Sequence, residues 1–172
     1  MDKNTLQLFA RYNKTVNEKM DAIIKTLSPE EWEKELGGYF GSVRELCSHL
    51  YIGDFNWLKR FSILRNFPVF EESLFNREPF SFKEVIFKDM GEYLNKRPEL
   101  DEKIITFTNE IGEGDLKSPL KYTDSHGNPY EKNFCGLVLH CFNHGTFHRG
   151  MISLYLELLG RENDFGSLSA VL

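Results

Sequence analysis

The sequence predicts an all-α protein: an antiparallel four-helix bundle with a short β-hairpin before its last long helix. Three observations carry that expectation. Three S-x-x-E boxes, Ser28–Glu31, Ser42–Glu45 and Ser81–Glu84, mark helix starts, because the Ser hydroxyl accepts from the amide three residues on while the Glu carboxylate reaches back. Apolar residues recur at spacings of three and four over long proline-free stretches, the period of a helix with one face in a core. The chain has a single hairpin signal, the turn cluster Asp124-Ser125-His126-Gly127-Asn128 between the short flanks LKYT and PYEKN, rich in the residues that favour tight turns.

Leu6, Phe9, Tyr12, Val16 and Met20 form one stripe, which predicts a first helix over about residues 3–27. Residues 28–36 read as a short helical turn with Pro29 at its first position and Gly37-Gly38 closing it. A second long helix follows Ser42, with Val43, Leu46, Cys47, Leu50, Trp57, Leu58, Phe61 and Leu64 facing the core up to the Asn66–Pro68 break. The segment NFPVFEESLFNREPF, with its two prolines, is expected to cross over the bundle as a connection. A third long helix is expected after Ser81, carrying Phe82, Val85, Ile86, Met90 and Leu94, then Ile104, Ile105 and Ile111. Pro98 should end or kink it near Arg97, and GEGDLKSP should stop it. The last helix runs from about Asn133 to Leu159 without a proline and meets Gly160, a residue suited to a helix C-terminus. Short connections favour antiparallel neighbours.

A chain of 172 residues fits one domain, 1–172, at about 100 to 200 residues per domain. The formal charge of -5 is spread over interspersed signs, so the basic stripe of a nucleic-acid binder is missing. MDKNTLQLFARYNK lacks the pattern of a signal peptide, and no apolar run reaches membrane-span length; a cytoplasmic location and no membrane partner are expected. Cys47, Cys135 and Cys141 form neither an even set nor a C-x-x-C pair, and each reads as a small buried residue.

The chemistry concentrates in LHCFNHGTFHRGM, which holds His140, His144 and His148, three of the five histidines. Residues four apart on a helix lie nearly one above the other, about 6 Å along the axis, so His144 and His148 can grip one ion. Such pairs also occur on solvated faces. Here the helix is apolar nearly all round, through Leu137, Val138, Leu139, Phe142, Phe147, Ile152, Leu154, Tyr155 and Leu156, which points the histidines inward. The only histidine in the middle of another helix is His49, readable as a core residue or as a third ligand from a neighbouring helix. An ion bridging 144 and 148 lies about 9 Å from the level of His140, against Zn–N bonds of about 2.1 Å; His140 is therefore a neighbour. Cys141 is about 7.5 Å from the ion's level by the same rise and is not expected as a ligand. His126 belongs to the turn and is expected in solvent. Gly145 and Gly150, each costing a helix about 1 kcal/mol relative to Ala, suggest close packing or a crowded site.

NHGTFHRGM, followed by LYLELLGRENDFGSL and preceded by YTDSHGNPYEKNFCGLVLH, resembles the DinB/YfiT-like family, which is unrelated to the DNA polymerase that shares the name. The resemblance covers nearly the whole chain in element order. It implies an antiparallel four-helix bundle, a divalent metal, usually zinc or nickel, held by His49, His144 and His148, and a homodimer. The family's final Gln is Met151 in this chain, which puts in question any polar contact from that position.

Three imidazoles leave an open coordination position, the mark of a catalytic zinc site. The resemblance favours a metal-dependent transferase that uses a low-molecular-weight thiol on small electrophiles. Metal-assisted hydrolysis and a non-catalytic, metal-stabilised stress-response bundle are the alternatives. No residue is assigned as general base. Glu45 is a helix-capping residue that could also orient His49 or reach the ion, and Asn143 and Arg149 are either exposed or ion-paired polar groups or contacts for an anionic substrate.

Overall fold

The computed structural model describes residues 1–124 and 126–172. Among them are six α-helices: α1 (Lys3–Ile24), α2 (Pro29–Glu33), α3 (Val43–Phe61), α4 (Met90–Glu110), α5 (Glu113–Lys117) and α6 (Phe134–Leu158). A two-stranded antiparallel hairpin, β1 (Pro119–Thr123) and β2 (Pro129–Asn133), stands directly before α6. Ser125, part of the expected turn cluster, lies outside the described residues. The protein is thus mostly helical, with the hairpin where the sequence places it. No helix among the described residues is long and apolar enough to cross a membrane.

The four long helices pack in a ring of contacts: α1 touches α4 and α6, and α3 touches α6 and α4. Their stripes meet in one core. Leu6, Val16 and Met20 of α1, Leu46, Leu50 and Phe61 of α3, Leu100 and Phe107 of α4, and Phe134, Ile152 and Leu156 of α6 are all buried in it. Every α-helix start except that of α5, which follows Gly112, has a side-chain cap. Asp2, Ser28, Ser42, Asp89 and Asn133 each accept a hydrogen bond from an amide in the first turn of the helix that follows, satisfying donors that have no partner within the helix. Helix α6 ends in a Schellman arrangement: Gly160 at φ +77° donates to the Glu157 carbonyl and Arg161 donates to that of Leu156.

The expected start of the third long helix is overturned. The helix starts at Met90, capped by Asp89, and not after Ser81. The Ser81 box closes only one turn, with the Glu84 amide on the Ser81 carbonyl. The reason is tertiary. Residues 76–89 form a strap over α3, and the strap's backbone is hydrogen-bonded to α3 side chains: Asn56 donates to the Phe80 carbonyl and accepts from its amide, and Arg44 Nε donates to the Phe87 carbonyl. Phe87 is buried against Tyr51 and Tyr93. Phe82 and Val85 are exposed rather than core. A helix here would leave Asn56 and Arg44 without those partners. Nor does Pro98 end the helix, which runs through it from Met90 to Glu110. Pro98 is exposed, so the carbonyl it deprives of a donor can turn to water.

Candidate functional site

His49 on α3 and His144 and His148 on α6 come together where these two helices pack. Their imidazole nitrogens can be chosen so that all lie within 4.8 Å of one another, and ring centroids are separated by 5.2 Å (49–144), 4.5 Å (49–148) and 4.4 Å (144–148). His140 stands off: it is exposed, 6.3 Å from His144, with its ring against Trp57. Cys47, Cys135 and Cys141 are all buried thiols; Cys141 Sγ is 3.7 Å from Asp54 Oδ1, turned to the interior. His126 is exposed in the hairpin turn.

The close approach of His144 depends on a residue the sequence reading passed over. A Cβ on Gly53 of α3 would lie 2.6 Å from His144 Cε1 and 3.0 Å from its Nδ1, so only glycine leaves room for the ring. The signal was present as a glycine inside a helical stripe, where it costs about 1 kcal/mol and calls for a packing reason. Of the glycines that were singled out, Gly145 fits its reading, since a Cβ there would meet Arg149 and Asn13 at 3.1 and 3.3 Å. Gly150 faces open space, so nothing packs against it.

Burial, reinforced by the neighbouring imidazoles, pushes His144 down to about 4 and His148 down to about 3; burial also lowers His49. All three are therefore neutral at pH 7 with a lone pair to offer. His49 Nδ1 is 3.4 Å from the Phe82 carbonyl oxygen. A carbonyl only accepts, so this contact places the proton on Nδ1 and leaves Nε2 free. Nδ1 of His144 and Nδ1 of His148 are buried without a hydrogen-bond partner among the described residues, a costly state for polar nitrogens. A cation held among the three rings fits this donor set, since neutral imidazole is a common ligand of divalent transition metals.

Aromatic rings wall the cluster. Phe40 lies 4.5 Å from His49 and 5.6 Å from His148, and Phe147 lies 5.1 Å from His148. Phe40 is held by the loop after α2, where Gly37 and Gly38 take φ of +85° and +86°. Tyr155 of α6 donates its hydroxyl to the Gly37 and Phe40 carbonyls. Of the three rings, His49 lines a cavity of about 290 Å³, which Tyr39, Phe40, Glu45, Phe82 and Lys83 also border. Glu45 serves the helix start: its amide donates to Ser42 Oγ, and its carboxylate accepts from the Gly41 amide.

Two expectations about α6 are corrected. Arg149 is buried and turns to α1, donating to Asn13 and Asn17 and to Thr146 of its own helix. Asn143 is exposed. The apolar girth of α6 is not all core, because Phe147, Leu154 and Leu158 are more than half exposed. The inward turn of the histidines therefore comes from packing on α3 and not from an apolar helix on every side.

A mostly helical protein carrying three clustered neutral imidazoles is compatible with the class that binds a metal ion. The match to known families makes the membership specific: residues 1–165 match the DinB family, and the chain belongs to it. It is also similar to Protein DinB of Bacillus subtilis (strain 168), 28% identical over 151 residues that cover 87% of this chain and 83% of that protein.

Proposed function

We propose that this chain is a single-domain metalloenzyme, an antiparallel four-helix bundle that holds zinc or nickel on His49, His144 and His148 and transfers a low-molecular-weight thiol to small electrophiles. The observation that carries the reading is the cluster of neutral rings, one of which, His49, lines the 290 Å³ cavity; a purely structural site is closed. When bound, the ion would supply Lewis-acid stabilisation that keeps a thiol ionised near neutral pH. The chain's own part is positional. His49 is oriented by the Phe82 carbonyl, His144 is seated on Gly53, and Phe40 and Phe147 lie against the rings of His49 and His148. In the transfer a sulfur–carbon bond forms, the electrophile's leaving group departs with its electron pair, and the thiol proton passes to solvent.

Thiol dependence tests the reaction. With 1-chloro-2,4-dinitrobenzene as electrophile, the metal-loaded protein is expected to turn over only when a small thiol is added. Equal turnover without thiol would replace transfer by hydrolysis, and no turnover in either condition would leave a metal-binding bundle.

The proposal carries a cytoplasmic setting and small-molecule rather than nucleic-acid partners. It also carries a homodimer, supported by the exposed stripe Phe147, Leu154 and Leu158 at helical spacing on α6, with Met151 half-buried between them. A solution mass near twice 20.1 kDa by light scattering is the expected result; a monomer mass at micromolar concentration would remove it.

A further inference from the structure

A larger cavity, about 710 Å³, lies between α3, the strap and the hairpin, away from the three rings. Its lining includes Arg60, Lys59 and Lys83 against Glu78, Asp124 and His126. Two of these charges are already engaged. Lys59 Nζ donates to the Phe75 carbonyl, and the Asp124 carboxylate accepts from the amides of His126 and Asn128 and from the Asn128 side chain. Arg60 is not: its guanidinium is half-buried, 4.5 Å over the Trp57 ring and 5.0 Å over the Tyr122 ring, and no hydrogen bond or ion pair to it is found among the described residues. Burial lowers its pKa, outweighing the opposing pull of Tyr122 and of the Asp124 carboxylate, which is already engaged by the turn. A guanidinium fixed in a plane by two aromatic faces presents its donor fork to whatever enters, and carboxylate and phosphate match that fork.

Position ties this cavity to the histidines. Arg60 follows His49 by eleven residues on the same helix, about 16 Å and close to three full turns, so both lie on nearly one face. Phe82 and Lys83 of the strap border both cavities. We infer that Arg60 anchors the carboxylate or phosphate of an elongated small molecule whose other end lies at His49, His144 and His148. The anion subsite stands on Arg60 alone; the assignment of the other end rests on the proposed function.

Calorimetric titration of the whole protein at low salt, with citrate and with pyrophosphate, tests the subsite and separates the two anion classes. One of them is expected to bind saturably, with its Kd raised about tenfold or more in Arg60→Gln and less in Arg60→Lys, while thermal unfolding stays at the wild-type temperature. His144→Ala is expected to bind that anion as wild type does, so loss of the metal site and loss of the anion site are separate results. Binding by neither probe, or equal binding in Arg60→Gln, overturns the subsite. The tripeptide thiol glutathione, added to zinc-loaded protein, tests the span. Weakening by both Arg60→Gln and His144→Ala is expected; weakening by only one of them, or by neither, overturns it.

Discussion

His144→Ala is expected to abolish stoichiometric metal in protein purified without a tag, while wild type carries about one ion per chain by elemental analysis. Loss of a partner that merely orients a ligand costs about 10- to 100-fold in affinity, and loss of a ligand costs more. Gly53→Ala is the sharper companion, because it leaves every histidine in place. Its Cβ would stand 2.6 Å from His144 Cε1, so the ring must swing away. Metal affinity should fall at least tenfold by this displacement on the scale of such orienting contacts, with the fold kept. Wild-type metal content in both variants would end the metal reading.

The metal-free protein has its own signature at the same ring. The unfolded chain takes up a proton on His144 near the ordinary 6.5, whereas burial and the adjacent imidazoles delay this to about 4 in the fold. Between these values the unfolded state binds more protons, so stability is lost as pH falls from about 6.5 to about 4 and is unaffected above that window. The slope of unfolding free energy against pH should be shallower in His144→Ala. An unchanged slope would mean that the ring is not buried in the neutral form.

Arg97→Met is expected to destabilise the protein by about 3–5 kcal/mol, because it leaves buried carboxylates without their cation. Arg97 is fully buried and donates to Asp54 at 2.8 Å and to Asp101 at 2.6 and 3.2 Å. Asp101 also accepts from Asn17 and Asn13 of α1, so the cluster joins α1, α3 and α4. Domains are stable by only about 5–15 kcal/mol, so the loss would show as a large drop in urea midpoint. Replacing Asp54 and Asp101 by Leu together with Arg97→Met should recover only part of it, since buried Arg149 loses its nearby carboxylates and Asn13 and Asn17 lose their acceptor. A single variant within about 1 kcal/mol of wild type would refute the ion-pair account.

The histidine cluster was legible in the sequence because its logic is local. His144 and His148 are one turn apart, and His49 stands alone in the middle of a second helix. The Arg97 cluster was invisible for the opposite reason: Asn13, Asn17, Asp54, Arg97 and Asp101 are polar, and only packing shows that they are buried together. Gly53 and Phe40 were missed because each matters through a contact with a distant helix.

What the sequence by itself determined is the set of features carried by short-range geometry: the capped helix starts at Ser28 and Ser42, the apolar stripes of α1 and α3, the hairpin before α6 and the stop at Gly160. Propensity and periodicity act within a few residues, so the order of residues suffices to read them. Tertiary structure decided the rest. The Ser81 box looked as good as the other two, yet Asn56 and Arg44 hold the strap's backbone on α3 and no helix forms there. Arg149 sits beside His148 in sequence but turns to α1, and the strap carries Phe82 to His49 and borders the cavity at Arg60. In each case a long-range partner outweighs a local preference, because hydrogen bonds and burial supplied across elements exceed the fractions of a kcal/mol that set intrinsic helix propensity.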